Sequence, residues 1–121
     1  MAKADRMATL AEKVVELDRF RHNVIAIVEK GGNILAVGFN NMEKTHPVYF
    51  QGEYSLGIHA EYDALRQVKF QDLSNASLYV FRFKRDGELG ESKPCEHCQK
   101  EIEESGIGKV FYYEDGKICK L

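Results

Sequence analysis

The apolar positions change period twice within the first third of the chain. Met7, Leu10, Ala11, Val14 and Leu17 recur at spacings of three and four. That is the stripe of an amphipathic helix, and it predicts helix from about Asp5 to Phe20. Val24 to Val28 is then an unbroken apolar run, mostly β-branched, as expected of a strand covered on both faces. Lys30-Gly31-Gly32-Asn33 reads as a turn and Ile34 to Phe39 as a second strand. A connection this short makes the two strands an antiparallel hairpin.

From Asn40 to Gly57 the periodicity stops, and Asn-Asn, Thr-His-Pro and glycine signals indicate a long loop. Helical spacing returns from Ile58 to Phe70, with Ile58, Ala64, Leu65 and Val68 on the packed side. Ser77 to Phe83 reads as a third strand and Lys84 to Lys93 as a polar surface loop. Pro94 suits the first position of a helix running to about Ser105, with Gly106 as its C-terminal cap. Lys109 to Tyr113 is a fourth strand, Glu114-Asp115-Gly116 a turn, and Lys117 to Leu121 a short fifth strand. The order α-β-β-α-β-α-β-(β) predicts an α/β fold: a mixed four- to five-stranded sheet between helices, a three-layer α/β/α sandwich. At 121 residues the expectation is one domain over residues 1–121, large enough for a real core.

Composition narrows the function classes. The net charge of −2 and pI near 6.1 supply no general basic surplus, which weighs against a polynucleotide partner. No run approaches the roughly 18 apolar residues of a membrane span, and the N-terminus lacks the apolar core of a secretory signal. A cytoplasmic protein is expected. Three cysteines make an odd count, and Cys95 and Cys98 stand two residues apart after a proline. In a reducing compartment that spacing favours metal or redox chemistry over a disulfide. Cys119, in an apolar stretch, is expected to be a small core residue.

The chemistry concentrates in His59-Ala60-Glu61 and Pro94-Cys95-Glu96-His97-Cys98. Cys95 and Cys98, at i and i+3 in a first helical turn, share a face, and a helix N-terminus favours thiolates. His59 opens the preceding helix. One imidazole and two thiolates make three ligands for Zn2+, leaving a fourth position open for water, as a catalytic rather than a structural site requires. Glu61, beside the histidine but not sharing its direction, is placed to act as the proton shuttle. The pattern H-x-E followed by P-C-x-x-C is that of zinc-dependent nucleobase deaminases. A redox pair or half of a structural zinc site is the plainer reading of Cys-x-x-Cys, but no second such pair exists to complete a four-ligand site. His97 points off the face of the two cysteines and is expected in solvent.

On these two motifs and the element order, the chain resembles the cytidine deaminase superfamily, from roughly Phe20 to the end. The resemblance implies a cytidine deaminase-like fold and a hydrolytic deaminase acting on cytidine, deoxycytidine or their monophosphates. It implies a sugar contact at Asn40, a contact between the Ala60 backbone and the base, and a homo-oligomer, dimer or tetramer. Lys44, Thr45 and His46 are candidates for a 5′-phosphate or hydroxyl, and Phe50 and Tyr54 for stacking on a pyrimidine. The terminal hairpin resembles the free-cytidine branch, although the Asn-x-Glu pattern of that branch is not intact. Two rivals stand beside this reading. One is a deaminase of cytosine in single-stranded nucleic acid, for which Lys44, Arg82, Lys84, Arg85 and Lys93 would form a local basic groove. The other is a non-catalytic, zinc-stabilised binding module, which would have no use for Glu61.

Overall fold

Six strands in one mixed sheet and three helices account for the regular structure of the residues that the computed structural model describes, namely 2–15, 24–40, 59–84 and 86–121. In chain order they are α1 (Ala2–Val15), β1 (Val24–Lys30), β2 (Asn33–Phe39), α2 (Ala60–Gln67), β3 (Ala76–Phe83), β4 (Leu89–Gly90), α3 (Glu96–Ser105), β5 (Lys109–Glu114) and β6 (Lys117–Lys120). The sheet order is β2-β1-β3-β5-β6, with β4 paired to β3. Only β3 and β5, joined through α3, run parallel; the other pairs are antiparallel.

The continuous apolar run of β1 is explained by layers on both of its faces. Ala26 and Val28 join Leu78, Val80 and Val110 beneath Ala60, Ala64 and Leu65 of α2 and Ile102 of α3. Ile25 and Ile27 face the other way, with Tyr79, Phe81 and Phe111, and are covered by Ala4 and Ala11 of α1. Tyr79 stacks on Phe111 with ring centroids 5.0 Å apart. The layering is therefore the expected α/β/α sandwich, with α1 the one helix on its side among the described residues.

Glu29 follows Ile25 and Ile27 on the face of β1 that α1 covers, placing a buried carboxylate toward that helix. Glu29 accepts the Gly32 amide at 2.9 Å and meets Lys3 of α1 at 3.3 Å. The hairpin turn and the first helix are thus tied to one acid.

Several boundaries differ from those expected. The sheet has a sixth strand because Leu89 and Gly90, inside the expected 84–93 loop, pair with Phe83 and Arg82. The first helix begins at Ala2 rather than Asp5, since Ala4 packs into the core; residues 16–20 lie outside the described residues. The second helix spans Ala60–Gln67 and closes at Val68, shorter than the expected 58–70. Pro94 does not begin the third helix: Cys95 is extended (φ −70°, ψ 170°) and occupies the N-cap, with Glu96 first in the helix. Cys119 is half-buried on β6 rather than a core residue. No helix among the described residues is long and apolar enough to cross a membrane.

Candidate metal centre and catalytic cavity

The metal-type residues come from two helix starts. His59 is extended (φ −80°, ψ 153°) at the N-cap of α2, Cys95 occupies the same position of α3, and Cys98 lies within the first turn of α3. Each helix start presents unsatisfied backbone N–H groups and the positive end of a dipole, a setting that stabilises thiolate sulfur.

Packing brings the two starts together. On the α2 side, Gly38 of β2 lies directly under the helix backbone, where a Cβ would collide with Ala64 N and Ala60 O. Asp63 Oδ2 accepts the Phe39 amide at 3.0 Å, and Gln67 Nε2 donates to the Val37 carbonyl at 2.8 Å. The outer edge of β2 is thereby bonded to α2. On the α3 side, Ser92 fixes the approach to Cys95. Its hydroxyl donates to the Val80 carbonyl at 2.7 Å and accepts the Tyr113 amide at 2.8 Å, while its own amide donates to the Tyr113 carbonyl at 2.9 Å.

The outcome is a tight donor set. His59 Nδ1 stands 3.1 Å from Cys98 Sγ and 3.5 Å from Cys95 Sγ, and all three donor atoms lie within 4.8 Å of one another. Tetrahedral zinc with ordinary Zn–N and Zn–S lengths holds its ligands roughly 3.5–3.8 Å apart, so this set fits the ion in spacing and in chemistry. Electrostatics agree. A hydrogen bond from the Cys98 thiol, and the adjoining His59, hold the Cys95 thiol far below its ordinary value. The bond to Cys95, burial and Glu61 push Cys98 up. The bond to Cys95 raises His59 against the opposing effect of burial. Two sulfurs and an imidazole thus share protons that a dication would displace. His97 is not part of the donor set.

A cavity of about 290 Å³ opens beside these residues. His59, Ala60, Glu61 and Cys95 line it, together with Val24, Asn40 and Val80. Arg82, Glu91, Ser92 and Lys93 form the remaining wall. Glu61 is 5% exposed. Burial pushes its carboxyl up, with a backbone hydrogen bond and His59 opposing.

Of the residues expected from sequence, His59, Cys95 and Cys98 converge, and Ala60, Glu61 and Asn40 line the adjoining cavity. Asn40 Oδ1 accepts the Val24 amide at 3.1 Å, so its carboxamide helps close the β1–β2 end. Lys44, Thr45, His46, Phe50 and Tyr54 lie outside the described residues. Sequence reasoning named neither Glu91 nor Ser92 individually, and it considered Arg82 and Lys93 by name only for a basic groove. The available signals were a lone arginine breaking the apolar run of β3 and a polar segment immediately before Pro94-Cys95.

Fold and donor set together give a mixed α/β protein in which one histidine and two cysteines could hold a metal ion. The chain belongs to the family described as the cytidine and deoxycytidylate deaminase zinc-binding region, whose model matches residues 1–114. Among solved structures, the dCMP deaminase of cyanophage S-TIM5 in its apo form is 27% identical, with TM-score 0.55, covering 87% of this chain and 80% of that one. The same phage enzyme in complex with dCMP and dUMP is 26% identical, with TM-score 0.54 and coverages of 87% and 79%. Cytidine deaminase from Burkholderia pseudomallei, at 18% identity, shares the fold, with TM-score 0.59 over 92% of this chain and 86% of its own. No curated protein sequence matches the chain.

Proposed function

We propose that this protein is a zinc-dependent hydrolytic deaminase that converts a cytosine-containing nucleoside or nucleotide to its uracil counterpart with release of ammonia. The observation that carries the reading is a buried acid, Glu61, lining the same cavity as His59 and Cys95. A structural metal site has no use for such a carboxyl. His59, Cys95 and Cys98 would hold the ion, which when bound supplies the Lewis acidity that makes water nucleophilic at neutral pH.

The remaining steps belong to the protein. Glu61 takes a proton from the attacking water and delivers it to pyrimidine N3, then assists a second transfer to the exocyclic amine. A C4–O bond forms, the C4–N bond breaks, and ammonia leaves. Ala60, with no side chain beyond Cβ, lets the base edge approach the backbone. Val24 and Val80 exclude water around the ring, and Asn40 contacts the sugar. Lys44, His46 and Phe50 remain candidates for the same substrate. The reading includes a cytoplasmic location, where thiols stay reduced for metal binding, and a homo-oligomer, by resemblance.

Incubating zinc-loaded protein with cytidine, deoxycytidine, their monophosphates and a cytosine-containing oligonucleotide tests it. Uracil product and ammonia from a nucleoside or monophosphate are expected. Full zinc occupancy with no product from any of them would overturn the reading.

A further inference from the structure

We infer that Arg82 and Lys93 form an anion-binding wall that takes a 5′-phosphate, so that the substrate is a cytosine nucleoside monophosphate rather than a free nucleoside. This rests on the deaminase reading and narrows it.

Arg82 occupies a position that the strand pattern would otherwise give to the core. It follows Leu78 and Val80 on the face of β3 that α2 and α3 cover. There the apolar file ends and the side chain is exposed at the cavity wall. Its cross-strand partners are Val24 and Gly90. A Cβ on Gly90 would stand 3.0 Å from Arg82 Nη1, so the absent side chain leaves the space that the guanidinium uses. Lys93 joins the wall from the segment that Ser92 fastens to β3 and β5.

Exposed cations are ordinary, and most are simply solvated. These two differ in sharing the wall of the cavity that holds Glu61 and the metal ligands. Among the described residues, no ion pair or hydrogen bond engages either side chain. The carboxylate beside them, Glu91, is turned to the β5–β6 turn, where it accepts the Asp115 amide at 3.2 Å. The wall therefore presents a planar guanidinium and an ammonium, the pair of donors suited to phosphate oxygens.

A monophosphate fits better than a polynucleotide. Two cations satisfy one terminal phosphate, whereas a strand needs a basic track along its backbone, and the chain carries a net charge of −2. The cavity, near 290 Å³, is at the small end for ligand sites.

The test uses products, which bind without turnover. Calorimetric titration of zinc-loaded protein with dUMP and with deoxyuridine should show dUMP binding about 100-fold more tightly, the combined effect of two charge-assisted contacts. In Arg82→Gln the dUMP-to-deoxyuridine affinity ratio should fall about tenfold or more, with partial recovery in Arg82→Lys. Lys117→Ala, on β6 and not among the residues lining the cavity, should keep the ratio. Equal affinities in the unaltered protein, or undetectable dUMP binding at millimolar concentration, would overturn the inference. So would tighter binding of a uracil-containing oligonucleotide than of dUMP. Deoxycytidine deaminated as efficiently as dCMP would defeat this inference and leave the deaminase reading intact. Tight dUMP binding without deamination of any cytosine substrate would do the reverse.

Discussion

The carboxylate of Asp63 accepts the backbone amide of Phe39 at 3.0 Å, which bonds the helix starting at His59 to the outer edge of β2. That edge would otherwise expose unpaired backbone groups. The same contact sets how deep α2 sits, because Ala60 and Ala64 rest on the backbone of Gly38. One interaction thus both covers a sheet edge and positions His59 and Glu61.

Gly38→Ala tests this directly. The added methyl meets backbone on the α2 side, and backbone cannot yield as a flexible side chain would. Overpacking of this kind costs about 1–3 kcal/mol or more, and relief requires α2 to move outward with His59 and Glu61. The expected result is a lower denaturant midpoint together with a disproportionate loss of turnover. Unaltered stability and activity would show that α2 tolerates displacement.

Glu61→Gln preserves shape and removes the exchangeable proton. Because general acid–base groups contribute roughly 10²–10⁴-fold, kcat should fall by at least that range while zinc content stays at the unaltered level. Metal analysis alongside steady-state kinetics separates the two effects. Retained turnover would remove Glu61 from the mechanism.

Cys95→Ala should lose zinc and, since metal binding stabilises only the folded chain, should melt at lower temperature than the zinc-loaded parent. Its melting point should approach that of the parent after chelation. Full zinc occupancy in the variant would show that another residue completes the ligand set.

How much of this was legible in the sequence follows from which contacts are local. The β1 run and the Gly31-Gly32 turn encode their own structure, so the hairpin and a strand buried on both faces could be read directly. His59-Ala60-Glu61 and Pro94-Cys95-Glu96-His97-Cys98 carry their chemistry in short spacing, and the fold only has to bring two helix starts together. The need for glycine at position 38 arises from α2 crossing above it, which no local pattern reveals. The role of Ser92 depends on Val80 and Tyr113, from two other strands. The two-residue β4 is too short to leave a periodic signal. Arg82 was visible as a charge in an apolar strand, but its place on the cavity wall depends on the pairing with Val24 and Gly90.

Glu101 lies one turn beyond Cys98 on α3, and burial pushes its carboxyl from 4.5 up to about 7, with His59 opposing. The sign for stability follows from proton counts. Below pH 4.5 the group is protonated both folded and unfolded and contributes nothing. Between 4.5 and about 7 the unfolded chain has released the proton while the native protein retains it. The native state then binds more protons, so stability falls as pH rises through that window. A bound dication nearby would pull the carboxyl back down, so the measurement belongs on zinc-free protein. Thermal melts across the window should show a steeper loss of stability with rising pH in the parent than in Glu101→Gln, where the titrating group is gone. Parallel profiles for the two would show that the Glu101 carboxyl ionises in the fold as readily as in the unfolded chain.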